Sequence, residues 1–157
     1  MRFRETAFEK KRGVSKVELG VGFAQVHVAD LPEPIHTGRL VALQCVKECE
    51  IGIFFLKMTS TGLSFLVKEE VVERLSERFA KEFTNFTVDK GRSVVFVHAV
   101  NLRDEEGLLA NILSEAISTG ARLEHIGDLH DSVCISASHE DAQKIAKAIE
   151  GKEFVTL

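Results

Sequence analysis

A repeat of about 70 residues constrains the fold of this chain more than any other sequence feature. "GFAQVHVAD" at 22–30 alternates apolar and polar residues, as a half-buried strand does. A helix at 39–48, a buried strand at 51–58, the turn "TSTG", a return strand and a helix at 68–81 follow it. The same order of strand, helix, strand, strand and helix recurs between 93 and 151, with "ARLEHI" (121–126) as its second strand. Paired positions agree in residue class rather than in identity, so we interpret the chain as one small unit present twice.

Each copy needs a fourth strand, and three further segments have strand-like patterns. These are "VSKVEL" (14–19), "TNFTVDK" (84–90) and "EFVTL" (153–157). The order β-α-β-β-α-β is that of a ferredoxin-like unit, whose antiparallel sheet carries both helices on one face. The sequence therefore predicts an α+β fold with two such units in tandem. The other face of each sheet needs cover from another unit or a second chain.

Composition excludes several functional classes. The 157 residues carry 20 Lys and Arg against 24 Asp and Glu, a net charge of -4, and no basic segment follows the first dozen residues. This charge disfavours binding to nucleic acid. No apolar stretch approaches the roughly 20 residues of a membrane span, which predicts no membrane partner. Three cysteines without disulfide-framework spacing indicate reduced thiols and a cytoplasmic location.

Two short motifs in the second copy resemble those of ACT domains, the amino-acid-sensing modules of metabolic enzymes. ACT units have a D-x-P-G turn that opens the first helix and an A-G-I-N-I entry into the second strand. "DEEG" (104–107) and "TGARL" (119–123) occupy these places here. In the first copy the places hold "PIHT" (34–37) and "CEIGI" (49–53). Over about residues 13–152, the chain resembles a tandem ACT pair like the regulatory C-terminal region of aspartate kinases.

The resemblance also implies how the extra strands are used. Strand 14–19 would complete the second unit, and strand 84–90 would close the first. Strand 153–157 would be spare or would compete for the same edge as strand 14–19. The implied domains are a tail or linker at 1–12, a first ACT unit at 20–90, and a second at 91–157 that strand 14–19 completes.

The loop before each first helix has parts suited to an amino acid. Unpaired N–H groups and the partial positive charge of a helix start attract an α-carboxylate. Glycine allows close approach to the backbone, and a neighbouring carboxylate can receive the α-ammonium. Across the sheet, the opening of the second strand at 121–123 is expected to offer unpaired backbone groups at an edge. Helix capping and a solvated loop explain the same residues, with Thr37 as the expected N-cap in the first unit, and this alternative stays open. The candidate ligand-binding residues are Asp104, Glu105, Glu106, Gly107, Leu108, Ala121, Arg122 and Leu123 in the second unit, and His36, Thr37, Gly38, Ile51 and Gly52 in the first.

The resemblance implies a non-catalytic regulatory module similar to the allosteric region of aspartate kinase, which binds lysine or threonine. A homodimer and an enzyme catalytic subunit, such as an aspartate kinase, are the expected partners. We find no catalytic motif, and we expect no metal and no cofactor beyond a small amino-acid effector. The alternative is an ACT-like oligomerisation protein without an effector, which the altered turn of the first unit favours.

Other functional classes fit the sequence less well. RNA-recognition domains share the strand and helix order, but they need aromatic residues with basic surroundings. Tyr and Trp are absent here, and core packing explains Phe54, Phe55 and Phe65 better. An acylphosphatase needs a phosphate-binding loop with an arginine after the first strand. Arg103 is so placed, but the acidic residues that follow it would repel phosphate.

Two groups of potential metal ligands are better explained in other ways. The first lies on or near one predicted hairpin turn, where polar residues are expected anyway, and comprises His125, Asp128, His130, Asp131 and His139. Cys45 and Cys49 are four residues apart, but no second pair at zinc spacing accompanies them. Two buried thiols are therefore the better interpretation.

Overall fold

The computed structural model describes residues 13–102, 104–129 and 131–150. A short 3-10 turn, Glu69–Val71, precedes the second helix. The elements in chain order are β1 (Val14–Val28), α1 (Ile35–Glu48), β2 (Phe54–Met58), β3 (Leu63–Lys68), α2 (Val72–Ala80), β4 (Phe86–Ala99), α3 (Leu108–Ser118), β5 (His125–Asp128), β6 (Ser132–Ser138) and α4 (His139–Ile149).

The chain divides into two compact units. The first unit is Val21–Arg92, and the second combines Met1–Gly20 with Ser93–Leu157. Both β1 and β4 therefore give one half to each unit. The strands expected at 14–19 and 84–90 are the ends of β1 and β4 rather than separate elements.

The first unit has the strand order β2-β3-β1-β4. β3 pairs antiparallel with β1, with Val26 opposite Phe65, and β2 pairs antiparallel with β3. The core lies on one face of this sheet, where alternate strand residues such as Ala24 and Val26 share a buried cluster with Ala42 of α1 and Leu75 of α2. Both helices therefore cover the same face.

The second unit repeats this arrangement with the strand order β1-β4-β6-β5. The first half of β1 takes the position of the fourth strand, and Ser15 Oγ donates a hydrogen bond to the carbonyl of His98 in β4 at 3.1 Å. Strand residues such as Val97 and Ile135 are buried in one cluster with Ile112 of α3 and Ile145 of α4. The predicted fold, two ferredoxin-like ACT units in tandem, is confirmed.

The repeat extends to the burial of individual side chains. Residues 71–80 and 141–150 show the same succession of buried, half-buried and exposed positions. Phe79 and Ile149 occupy equivalent places at the ends of α2 and α4, and both are fully buried. Burying a side chain of this size stabilises the fold by about 1.5–3 kcal/mol. Equivalent helices thus make equivalent contributions to the two cores.

Two strand predictions need correction. The segment 51–58 was expected to be a buried strand, but β2 begins at Phe54 and its residues are largely exposed, because it is the outermost strand of its unit. A bulge at Phe55, with φ 54°, shifts its register against β3. The strand expected at 121–126 begins only at His125, because the residues before it form a connection. The expected strand at 153–157 and the tail at 1–12 lie outside the described residues.

None of the helices in the described ranges is long and apolar enough to cross a membrane.

The tip of the β2–β3 hairpin is fixed by a close backbone approach and by one arginine. A Cβ on Gly62 would overlap the carbonyl oxygen of Val28. Arg39, in the second turn of α1, donates from Nε to the carbonyl of Gly62 at 3.1 Å and from Nη2 to the carbonyl of Thr59 at 2.7 Å. The turn thus packs on β1 on one side and is held by α1 on the other.

Replacing Gly62 by alanine should therefore destabilise the protein. We expect Gly62→Ala to lower the free energy of unfolding by about 1–3 kcal/mol, because the added methyl must displace backbone atoms. Gly52→Ala is the matched control, since nothing lies within 4 Å of a Cβ at that position. Denaturant unfolding of both variants provides the measurement. Equal stabilities would contradict the close approach.

Candidate ligand-binding site

The loop between β4 and α3 is held in shape by backbone hydrogen bonds. Asn101, with φ 54°, accepts at its carbonyl from the N–H groups of Asp104 at 3.0 Å and Glu105 at 2.9 Å. The N–H of Leu108 then donates to the carbonyl of Glu105 at 3.2 Å. Gly107, with φ 80°, brings the chain into α3 through a left-handed conformation that glycine adopts at little cost. The acidic loop is thus an ordered turn.

The start of α3 offers backbone donors without a competing side chain. No side chain in the described ranges caps this helix, and its first turn carries no acidic residue. The first N–H groups of a helix lack intrahelical partners, and that of Leu108 is used by Glu105. The next two helical residues, Leu109 and Ala110, line a surface groove with a volume of about 540 Å³.

This groove combines apolar and acidic walls. Its lining residues are Leu102, Glu105, Glu106, Gly107, Leu109, Ala110 and Leu113. The structure therefore brings three of the predicted site residues, Glu105, Glu106 and Gly107, together at one groove. Asp104 is exposed in the same loop but does not line it. The side chain of Leu108 is fully buried in the core and its N–H is paired with Glu105, so neither is available to a ligand.

The entry into β5 differs from expectation. The N–H groups of Ala121 and Arg122 were predicted to be unpaired, but this is wrong. Ala121 donates to Thr119 Oγ1 at 3.1 Å, and Arg122 donates to the carboxylate of Asp141 at 3.0 Å. Leu123 packs against the core. These three residues do not line the groove beside Gly107.

In the first unit a smaller groove, with a volume of about 230 Å³, lies beside the start of α1. Thr37 and Gly38 line it as predicted site residues, and Pro32 and Pro34 form part of its wall. His36 is exposed outside this lining. The other two predicted residues also lie elsewhere. Ile51 is buried, and its N–H donates a hydrogen bond to the carbonyl of Val46 at 3.3 Å. Gly52 is exposed.

N–H groups at the start of α1 find hydrogen-bond acceptors in the residues just before the helix. Thr37 was expected to be the N-cap, but the helix begins at Ile35, because Pro34 is the N-cap and Thr37 lies within the first turn. Glu33 accepts the N–H of Ile35 at its carboxylate at 3.2 Å, and Thr37 donates its N–H to the carbonyl of Pro34 at 3.1 Å. An incoming carboxylate would meet the negative charge of Glu33. At the start of α3, by contrast, no side chain within the described residues accepts from the helix N–H groups, and Glu105 and Glu106 line the groove beside it.

Two residues of the smaller groove were missed by the sequence analysis. Glu82 and Phe83, which follow α2, line it opposite the start of α1. Arg78 holds Glu82 by an ion pair at 3.0 Å and also pairs with Glu48 at 2.9 Å. Hydrogen bonds to Glu82 and Glu48 raise the pKa of the Arg78 guanidinium. Phe83, four residues after the buried Phe79, continues the helical spacing of apolar residues, and this signal would have identified it.

The other titratable residues form no metal site in the described ranges. No group of three His, Cys, Asp or Glu side chains there could hold a metal ion. His130 and Arg103, candidates for metal and phosphate chemistry, lie outside those ranges. Glu18 on β1 pairs with Lys16 at 2.6 Å and His98 at 3.0 Å, and these hydrogen bonds lower the pKa of its carboxyl. This cluster is exposed and lies outside both grooves.

Comparison with known proteins gives a match at the level of structure. A scan against protein-family models and a search of curated proteins find no matching family or relative. Among solved structures, the regulatory subunit of aspartate kinase from Thermus thermophilus, in its ligand-free form, has a TM-score of 0.77 at 19% identity. The match covers 92% of this chain and 100% of that one. This chain has the fold of an aspartate kinase regulatory subunit.

Complete enzymes contain the same fold. Clostridium acetobutylicum aspartate kinase matches with a TM-score of 0.78 at 10% identity over 91% of this chain and 36% of the enzyme. E. coli aspartokinase III, in complex with lysine and aspartate in the T-state, matches with a TM-score of 0.71 at 12% identity over 92% of this chain and 34% of the enzyme. The chain thus spans about a third of each enzyme. The resemblance seen in the sequence is confirmed at the level of the fold.

The three thiols should differ in reactivity. Burial raises the pKa of Cys45 and of Cys134, and both side chains are buried, whereas Cys49 at the end of α1 is half-buried. Because the thiolate is the nucleophile, a raised pKa leaves less of it at pH 8. We expect iodoacetamide to modify Cys49 about tenfold faster, or more, than the other two. Mass spectrometry of native and guanidinium-unfolded protein measures this. Uniform native rates would contradict the burial.

Proposed function

We propose that this chain is a non-catalytic regulatory module that binds a small amino acid at the start of α3. The start of α3, which no side chain among the described residues caps, and the acidic groove beside it carry the proposal. This helix start lies at the loop for which the ACT resemblance predicts an effector, in a chain with the fold of aspartate kinase regulatory subunits.

Each part of a zwitterion has a complementary surface. The α-carboxylate is held by the N–H groups of Leu109 and Ala110 and by the partial positive charge of the helix start. The α-ammonium pairs with the carboxylates of Glu105 and Glu106. An aliphatic side chain lies against Leu113 and its apolar neighbours in the groove. Lysine and threonine are the effectors that the resemblance predicts, and the E. coli enzyme is described in complex with lysine.

Regulation follows from linkage between the effector site and a partner. A ligand shifts a conformational equilibrium only by the difference in its affinity for the two states. We propose that the partner is the catalytic subunit of a metabolic enzyme such as an aspartate kinase, in the cytoplasm. An effector that binds more tightly to one arrangement of the module would then change the activity of the associated enzyme.

A panel of the twenty amino acids in a thermal-shift assay tests effector binding. A ligand at a hundred times its Kd stabilises the folded state by about 2.7 kcal/mol, which corresponds to a rise in Tm of roughly 5–10 °C for a chain of this size. We expect such a rise for at least one amino acid. An unchanged Tm with all twenty amino acids would exclude the sensing function.

Glu106 should contribute to the affinity for that amino acid. Because a hydrogen bond to a charged group is worth about 1.5–3 kcal/mol, Glu106→Gln should weaken binding about tenfold or more in titration calorimetry. Glu77→Gln, on the exposed surface of α2, is the matched control. Equal losses in the two variants would show that net charge, rather than the groove, determines affinity.

We further propose that the module dimerises through the exposed side of β2. Phe54, Leu56 and Met58 are 42%, 44% and 46% exposed, an unusual concentration of large apolar side chains on one short strand. The bulge at Phe55 interrupts the backbone ladder, so side chains rather than strand pairing would make the contact. This surface also fits the alternative function, an oligomerisation protein without an effector.

Charged substitutions on β2 should weaken the dimer. We expect Leu56→Glu with Met58→Glu to raise the dimer dissociation constant by about a hundredfold, because each lost apolar contact contributes about 1–2 kcal/mol. Leu40→Glu on α1 is the matched control, since that side chain is 63% exposed outside the β2 surface. Sedimentation equilibrium measures the constants. A monomeric wild-type protein would exclude this interface.

A further inference from the structure

The first unit has an open sheet edge along the first half of β4. This strand is the outermost one of the unit, with β1 on one side, and its other neighbour, β6, belongs to the second unit. The edge ends at Gly91, which has a φ of 71° and donates its N–H to the carboxylate of Glu69 at 2.7 Å. Within the first unit, residues 86–90 therefore have no strand partner on one side. The exposed residues among them are Thr87, Asp89 and Lys90.

The backbone groups at this edge belong to alternate residues. The carbonyl of Asn85, directly before β4, accepts the N–H of Ala29, directly after β1, at 3.1 Å, so the two strands run antiparallel. In an antiparallel pair every second residue bonds to the neighbouring strand, and the residues between direct their N–H and C=O groups to the other side. Counting from Asn85, the backbone groups of Val88 and Lys90 are directed away from β1.

A groove lies along this edge, beside α2. It has a volume of about 570 Å³ and lies between Val72 and Ser76 of α2 and Val88 and Lys90 of β4. Both valines also belong to the core of the unit or pack against it, so the floor of the groove is apolar. A strand added to a sheet edge makes main-chain hydrogen bonds and places every second side chain on one face. The edge and the groove together offer partners for both.

Charges of both signs lie at defined places along the edge. Alternate residues of a strand share a face, so the side chain of Lys90 lies on the groove side, as that of Val88 does. Arg92 adds a second positive charge to the groove, where Glu73 of α2 supplies a negative one. Asp89 also borders the groove, but alternation places its side chain on the opposite face. An added strand therefore meets a net positive charge on one face and a negative charge on the other.

This charge pattern disfavours a second copy of the chain at the edge. Two copies related by a two-fold axis would pair antiparallel, with the same residue of each copy at the centre. A register centred on Asp89 or on Lys90 brings like charges together. In registers centred on Thr87 or Val88, both charges face uncharged residues. Charged edge residues of this kind discourage self-association and select a strand that supplies the opposite charges.

We infer that the first half of β4 binds an extended segment of a partner protein, which adds to the sheet of the first unit as an antiparallel strand. The segment has an acidic residue opposite Lys90, a basic residue opposite Asp89 and an apolar residue opposite Val88, in that order from its N-terminus. Directly opposite residues share a face, so the apolar and acidic side chains lie over the groove. The inference uses neither the effector site nor the β2 contact, so its outcome is independent of both.

Titration of the isotope-labelled full chain with two capped hexapeptides, followed by amide chemical shifts, tests the inference. In "TEKVTV" the glutamate, the lysine and the first valine stand opposite Lys90, Asp89 and Val88, and in "TKEVTV" the two charges are exchanged. With the first peptide the amide protons of Val88 and Lys90 should move downfield, because they gain hydrogen bonds, while that of Asp89 should move little. The first peptide should bind about tenfold more tightly, because the exchange turns two attractive pairs into repulsive ones.

Exchanging the charges in the protein provides the matched control. The double variant Asp89→Lys, Lys90→Glu should reverse the preference and bind "TKEVTV" about tenfold more tightly. Amide shifts outside β4 should stay unchanged, which shows that the variant folds. Equal affinities for the two peptides, shifts at other residues only, or no shift would overturn the inference. Shifts of Val88 and Lys90 that depend on protein concentration without peptide would identify a second copy as the occupant and overturn it as well.

Discussion

The position of the first half of β1 beside the second half of β4 determines how the chain is organised. It places residues 14–20 in a unit whose other members begin at Ser93. The hydrogen bond from Ser15 to His98 spans 83 positions of sequence. The second unit therefore cannot complete its sheet from contiguous sequence, and the first unit forms within the intervening stretch. Closing a loop of this length costs conformational entropy before the contact stabilises the fold, which slows the pairing of β1 with β4.

The two loops that precede α1 and α3 show how copies of one unit diverge in chemistry. Both place a helix start beside a groove. Glu33 satisfies the start of α1 with a carboxylate from the chain itself, whereas no described side chain caps α3. The loop before α1 thus supplies its own anion, whereas the helix N–H groups of α3 receive no side-chain acceptor from the part of the chain that the structure describes. This difference, rather than the shared fold, led us to place the proposed effector site in the second unit.

Most of the fold was predictable because residue class determines which face of each element is buried. Positions such as Leu75 and Ile145 belong to the same helical pattern 70 residues apart, and both are buried as that pattern requires. The exposure of β2 was not predictable, because an apolar run does not indicate whether a strand is central or outermost. Its aromatic residues indicated a core, but its position in the sheet left them at the surface.

The site was predictable only in part, for related reasons. The acidic loop and Gly107 could be located because helix starts have local sequence signals. The pairing of the N–H of Arg122 with Asp141 could not be predicted, because its partner lies on α4, 19 residues away. Thr37 was misassigned as a cap because the helix already begins at Ile35, with Pro34 as its N-cap. Hydrogen bonds to side chains that are distant in sequence determine which N–H groups are paired. The local sequence pattern does not indicate such partners.

The two hydrogen bonds of Arg39 give the first unit a mechanical connection between a groove and a surface. Its backbone is in α1, directly after Gly38 of the smaller groove. Its guanidinium donates hydrogen bonds to the carbonyls of Thr59 and Gly62. Thr59 directly follows Met58, the last residue of β2. A displacement of α1 at Arg39 would therefore act directly on the hairpin tip and on the end of β2. One side chain thus couples the position of α1 to that of an exposed apolar strand.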